Sequence, residues 1–198
     1  IKGSTMFIKK QGIDIINELG RITTIEEVET TLSKYLSDLQ KKRLNQINHP
    51  EILTKIANTI LVCKPDKVFI NTGSNKDKDY ICNESLLKGE ESQLPMAGHT
   101  IHFDLPEEQG RIVDRTFYIV NEDEDISSLA NKISRTEASN EIKNKMTGIM
   151  QGKTMFIGFY LRGPVGAPAS DPAIEISSSA YVTHSAEILY RNAFNDIT

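Results

Sequence analysis

Residues 148–161, GIMQGKTMFIGFYL, place a glycine-rich turn directly before a continuous apolar and aromatic run. The run TMFIGFYL, residues 154–161, has the length and the β-branched and aromatic content of a buried strand. The segment before the turn, residues 127–146, is charged and helix-like. We therefore interpret Gly148 as the end of a helix and Gly152–Lys153 as the turn into a buried strand.

The same glycines resemble the loop that binds nucleotide phosphates. That loop has the pattern G-x-x-x-x-G-K-[ST], follows a strand and opens a helix, whose free N–H groups complete the anion site. Here only three residues separate Gly148 from Gly152, and the helix and the strand come in the opposite order. Nucleotide binding by Gly152, Lys153 and Thr154 is therefore rejected.

On both sides of this stretch, about four or five short strands alternate with helices. Helices are predicted at residues 23–47, 50–61, 126–146 and 179–194, and strands at 67–71, 99–105, 115–122, 154–161 and 173–177. The basic run at residues 41–43 is expected to meet the helix dipole and water, and the acidic run at residues 122–125 to cap the helix after it. This order predicts an α/β fold with a mixed sheet flanked by helices, in one domain over residues 1–198. A helical N-terminal segment (about 13–60) precedes the mixed α/β core (about 61–198).

The bulk composition excludes several classes of function. A net charge of −4 argues against general binding of nucleic acid or of an anionic membrane, both of which require a basic excess. No apolar run approaches the roughly 20 residues that span a bilayer, and no signal peptide is recognisable, so we expect a cytoplasmic protein. Cys63 and Cys82 stand nineteen positions apart. Two buried thiols are predicted for them, with a single disulfide as the alternative.

Histidines and arginines are the candidate site residues. His99, His102 and Asp104 do not share one face of a strand, so a histidine pair is favoured over a metal site, and His49 and His184 stand alone. Arg111 and Arg115 flank IVD in PEEQGRIVDRTFYIV, residues 106–120, just before a predicted strand. An arginine there presents a rigid fork of donors that suits a carboxylate or a phosphate. From the residues alone, an ion pair with Glu107, Glu108 or Asp114 is favoured over such a site for both arginines.

Four stretches together resemble, in this order, the N-terminal domain of the GTP-dependent phosphoenolpyruvate carboxykinases. They are CKPDKVFINTGSNKD (63–77), GRIVDRTFYIV (110–120), GKTMFIGFYLRGPVGAP (152–168) and AIEISSSAYVTHSAEILYR (173–191). The resemblance runs from about Ile52 to Arg191 and is strongest from Gly152 onward. It implies the N-terminal-domain fold of that family.

The resemblance implies that this chain carries only part of the family's active site. The family, a class of lyases in gluconeogenesis, decarboxylates oxaloacetate to an enolate and phosphorylates it from GTP with Mn²⁺ or Mg²⁺, giving phosphoenolpyruvate. The family's nucleotide loop, metal ligands and guanine-stacking aromatics lie in a C-terminal region beyond this chain. Arg111 matches the arginine that binds the substrate carboxylate, whereas no catalytic or metal-binding residue is carried over.

The resemblance leads to two main hypotheses about function. In the first, the chain binds oxaloacetate or phosphoenolpyruvate together with the missing C-terminal domain and is inactive alone, binding neither GTP nor metal. In the alternative, it is a stand-alone module that keeps the fold and captures a small carboxylate or anion without catalysis. A purely structural domain that docks onto a separate chain is a weaker third option.

Overall fold

In the computed structural model, residues 14–105, 112–121, 124–168 and 170–197 are described. The predicted α/β architecture is confirmed: a mixed sheet of four strands carries helices on both faces. The helices of the described residues are α1 Ile15–Gly20, α2 Ile25–Tyr35, α3 Asp38–Leu44, α4 Pro50–Cys63, α5 Asn75–Leu87, α6 Arg135–Met146 and α7 Ala180–Leu189. The strands are β1 Lys67–Ile70, β2 Ser92–Gln93, β3 Thr100–Ile101, β4 Tyr118–Val120, β5 Lys132–Ser134, β6 Thr154–Arg162, β7 Asp171–Ser177 and β8 Arg191–Asn192.

Strand β6, the apolar run that follows the glycine turn, is the centre of the sheet. On one edge it pairs in parallel with β1, from Lys67↔Thr154 to Ile70↔Ile157, and then antiparallel with the short β8. On the other edge it pairs antiparallel with all seven residues of β7. Residues 155–160 are buried on both faces, which is why this strand reads as a continuous apolar run and not as an alternating one.

Side chains of successive residues in β6 pack against helices on opposite faces of the sheet. Ile157 and Phe159 face the helical N-terminal segment, where they join the core formed by helices α2 and α4. Phe156 faces the opposite side and packs with Ile81 of α5 and Ala180 of α7. This alternation follows the two-residue period of a strand and places helices on both sides of the sheet.

Side-chain caps specify the starts of α2, α5, α6 and α7. Thr24 and Glu27 form a reciprocal capping box at α2. The side chains of Ser74, Ser134 and Ser179 accept the N–H three residues later at α5, α6 and α7. In the described part of the chain, no helix combines the length and apolarity needed to cross a bilayer.

Several predicted boundaries were wrong. The helix predicted over residues 23–47 breaks at Leu36 and Ser37, which are extended, so that both Leu36 and Leu44 are buried in the core. The helix predicted from residue 126 begins only at Arg135, because residues 132–134 form β5 beside β4 and Ser134, not the acidic run, supplies the cap.

The remaining differences concern strand lengths and the last helix. The strands predicted at 99–105 and 115–122 shrink to two and three residues. The closing helix stops at Leu189, because Arg191–Asn192 pairs with β6. Both cysteines are free thiols as predicted; Cys63 is buried and Cys82 is half-buried. Burial raises the pKa of both thiols.

Candidate functional site

The glycine-rich turn before β6 uses its amide groups inside the protein. Gly148 N donates to Val62 O at 2.8 Å, and Met150 N donates to Cys63 O at 2.9 Å. Gly152 N donates to Asp66 Oδ1 at 2.9 Å. Both glycines have positive φ, +72° and +76°, which only glycine adopts readily. Because these donors already have partners, the turn joins α6 to the sheet and offers no cradle for a phosphate.

The histidines near the β2–β3 hairpin connect it to α7. The His102 ring stacks on Tyr181 with centroids 3.6 Å apart, and its Nδ1 lies 2.6 Å from Glu90 O. His184 Nδ1 lies 2.9 Å from Glu91 Oε2. Among the residues that the structure describes, no three His, Cys, Asp or Glu side chains are grouped to hold a metal ion. These contacts give His102 and His184 a role in packing.

The segment with the predicted substrate arginine is described only at its flanks. Arg111 lies outside the described residues, and so do Glu107 and Glu108. Arg115 ends a 3₁₀ turn, Val113–Arg115, and is exposed; no ion pair joins it to Asp114.

Both flanks of this segment are held by hydrogen bonds. After it, Asn131 Nδ2 donates to Val113 O at 2.7 Å, and Thr116 Oγ1 donates to Ile112 O at 2.8 Å. Before it, His102 is fixed by Tyr181 and Glu90 as described above. The flanks are thus anchored to Asn131, which immediately precedes β5, and to Tyr181 of α7.

A buried polar network that the sequence did not reveal lies where β1 ends. Asn71 Nδ2 donates to Glu187 Oε1 of α7 at 2.6 Å and lies 3.3 Å from the Tyr160 hydroxyl. Asn192 Nδ2 donates to the same Glu187 oxygen at 2.9 Å. The Tyr160 ring lies over Gly158, where a Cβ atom would come within 2.5 Å of it. The glycine in the middle of β6 therefore makes room for the tyrosine.

Two carboxylates in this network are short of donors. Glu175 Oε1 and Glu187 Oε2 are buried and form no hydrogen bond, although Lys78 Nζ forms an ion pair with Glu187 Oε2 at 3.4 Å. Burial and the neighbouring charge of Glu187 raise the pKa of Glu175 to about 7. Burial, Glu187 and Glu175 also raise the pKa of Tyr160 above its usual range. The network can therefore hold a proton on Glu175 near neutral pH.

The sequence offered one signal for this network. Polar residues that follow the carboxyl end of a strand often line a site in α/β proteins, and Asn71 and Thr72 follow β1 in this way. Glu187 had no such signal, because it lies on a helix far along the chain and meets Asn71 only in the fold.

Comparison with known proteins decides the family. Residues 55–198 match the family described as phosphoenolpyruvate carboxykinase N-terminal domain. The chain belongs to this family. The resemblance noted in the four sequence stretches is thereby confirmed, and so is the carboxykinase N-terminal-domain fold.

Curated relatives agree with this assignment. The chain is 36% identical over 167 residues to the phosphoenolpyruvate carboxykinase [GTP] of Saccharolobus solfataricus, which covers 84% of this chain and 27% of the relative. It is 34% identical over 172 residues to that of Pyrococcus furiosus, covering 87% and 27%. For the Treponema pallidum protein the identity is 30% over 153 residues, covering 75% and 24%. The carboxykinase domain described here thus spans about a quarter of the length of its curated relatives.

Proposed function

We propose that this chain is the substrate-side, N-terminal domain of a GTP-dependent phosphoenolpyruvate carboxykinase. The whole enzyme would convert oxaloacetate and GTP into phosphoenolpyruvate, GDP and CO₂. The supporting observation is the similarity over more than four-fifths of the chain to relatives named phosphoenolpyruvate carboxykinase [GTP], of which it spans only 27%. The alternative of a stand-alone carboxylate-binding module is not favoured, because these relatives are enzymes of much greater length.

GTP and the divalent metal, Mn²⁺ or Mg²⁺, would be held by the remainder of the enzyme. The sequence contains no G-x-x-x-x-G-K-[ST] loop, and the described residues offer no metal-binding group. In this proposal the domain contributes neither the nucleotide loop nor the metal ligands. The partner of this domain in catalysis would be the C-terminal part of the same polypeptide.

Arg111 is our candidate for the residue that binds the substrate. It matches the family's carboxylate-binding arginine within GRIVDRT. A guanidinium binds a carboxylate through two parallel N–H···O bonds, which fix orientation as well as position. Such a grip on the enolate would hold its oxygen in line with the phosphoryl group to be transferred.

A cytoplasmic location, without a nucleic-acid or membrane partner, also belongs to this proposal. Two free thiols and no disulfide between them suit a reducing compartment. The net charge of −4 gives no basic surface excess for a polyanion.

Substitution of Arg111 in the full-length enzyme tests the proposed role. A charge-assisted hydrogen bond contributes roughly 1.5–3 kcal/mol, so Arg111→Ala should lower kcat/KM for oxaloacetate and for phosphoenolpyruvate by roughly ten- to a hundred-and-fifty-fold. The Kd for GTP should hardly change. Arg111→Lys should restore only part of the loss, because an ammonium group keeps the charge without the planar fork.

Arg115→Ala is the matched control, and it should have a much smaller effect on the steady-state kinetics. If Arg115→Ala disables the enzyme and Arg111→Ala leaves it near wild type, the wrong arginine is assigned. If neither substitution matters, the carboxylate site lies elsewhere.

A further inference from the structure

The two outer edges of the central sheet differ in whether side chains cover their backbone groups. At the edge formed by β1, side chains of helix α3 occupy both outward backbone groups of Ile70. Ile70 N donates to Gln40 Oε1 at 2.7 Å, and Ile70 O accepts from an Arg43 guanidinium nitrogen at 2.7 Å. Covering an edge strand in this way prevents another strand from pairing with it.

The edge formed by β7 has no such cover. Ile157 O and Phe159 O of β6 accept from Asn71 and Ala193, so these residues face β1 and β8. Their neighbours Phe156, Gly158 and Tyr160 therefore bond to β7, where they pair with Ser177, Glu175 and Ala173.

The backbone groups of Ile174 and Ile176 consequently point away from β6. No described residue donates to them or accepts from them. Pro172, which has no N–H, occupies the same outward register. Strand β7 thus presents a row of free donors and acceptors along an edge that is seven residues long.

An apolar groove lies on one face of the sheet and extends from β7 across β6 to the residues that follow β8. It has a volume of about 230 Å³ and is lined by Ile52, Phe159, Pro172, Ile174 and Ile197, among others. The side chains of Ile174 and Ile176 pack against the main core while their backbone groups remain free. A strand added at this edge would complete the hydrogen-bond ladder along β7.

We propose that the open edge of β7 receives a β-strand from the part of the carboxykinase polypeptide that lies outside this chain. The inference rests on the proposed function, because it takes its occupant from the relatives, which are almost four times as long as the matched region. A second copy of this chain is the rival occupant, and the dependence of the protection on protein concentration distinguishes the two.

Residue-resolved hydrogen–deuterium exchange of the 198-residue chain and of the full-length polypeptide tests the inference. In the chain alone, the amides of Ile174 and Ile176 should exchange quickly, whereas those of Ala173 and Glu175, which bond to β6, should be slow. In the full-length polypeptide the two isoleucine amides should slow by at least about a hundredfold, because they open only with the added strand. Ala173 and Glu175 are the internal controls in both samples.

Two results would overturn the inference. Equal exchange of Ile174 and Ile176 in the two proteins means that no strand is added at this edge. Protection in the chain alone that grows with its concentration assigns the edge to a second copy. A separate carboxykinase assay of the full-length sample distinguishes failure of this inference from failure of the proposed function. The isoleucine amides can be protected in a polypeptide without carboxykinase activity, and an active polypeptide can leave them unprotected.

Discussion

Glu175 is an acid placed where its charge is costly. Its strand position sets it beside the Tyr160 hydroxyl and near Glu187, with one oxygen buried and without a donor. Lys78 approaches Glu187, and Arg162 lines the same pocket as Glu175 but lies over the Tyr190 ring at 5.6 Å. The network therefore favours the protonated acid, which explains a pKa of about 7 instead of the ordinary 4.5.

This shift predicts a pH-dependent stability. Because the folded state binds the proton more tightly than the unfolded state, the stabilisation is complete below about pH 4.5 and is lost as the pH rises through about 7. Glu175→Gln, which cannot ionise, should be more stable than wild type above pH 7, and the difference should shrink toward pH 5. Urea unfolding of the chain between pH 5 and 8.5 measures it. Glu29→Gln, at an exposed position, is the control; a Glu175→Gln effect that does not vary with pH would contradict the assigned cause.

At the scale of the element, α3 acts as a cover for the edge of β1. The basic run at residues 41–43 was expected to be solvated, and for Arg43 this was wrong. Its guanidinium lies 2.7 Å from Asp77 Oδ1 and packs over the Phe69 ring. Asp77, which is buried, also accepts from Thr72 N and Thr72 Oγ1. One side chain thus joins α3, β1 and α5.

Removing Arg43 should therefore be costly. Arg43→Ala leaves the buried Asp77 carboxylate without its cation and uncovers Ile70 O, so the free energy of unfolding should fall by about 3 kcal/mol. Urea unfolding at pH 7 measures the loss. Lys42→Ala, one residue earlier and exposed, should change stability by no more than about 0.5 kcal/mol. Equal effects of the two substitutions would mean that the ion pair contributes nothing.

Across the whole molecule, elements with a long local apolar pattern could be predicted from the sequence, whereas helix breaks and strand pairings set by tertiary contacts could not. Strand β6 and helices α4 and α7 were predictable because their apolar patterns are long and continuous. The break between α2 and α3 was not, because both halves keep a helical period and only packing in the core separates them. The pairing of β4 with β5 was hidden for a similar reason, since three-residue strands leave almost no pattern.

The same distinction applies to the candidate site residues. Arg111 was reached through a local motif, GRIVDRT, that resembles the family's pattern. The Asn71–Tyr160–Glu187 network was missed because its members are separated by as many as 116 positions and meet only when β1, β6 and α7 are assembled. The pattern of residues in a single sequence does not indicate contacts between positions so far apart.

The most direct test of the account is an assay of phosphoenolpyruvate formation from oxaloacetate, GTP and Mn²⁺. It compares the 198-residue chain with the full-length polypeptide that contains it, at equal molar concentration and with a GTP-free control. We expect GTP-dependent product from the full-length polypeptide and none above background from the chain alone, because the chain lacks a correctly spaced phosphate loop. GTP-dependent product from the chain alone, or none from the full-length polypeptide, would contradict it.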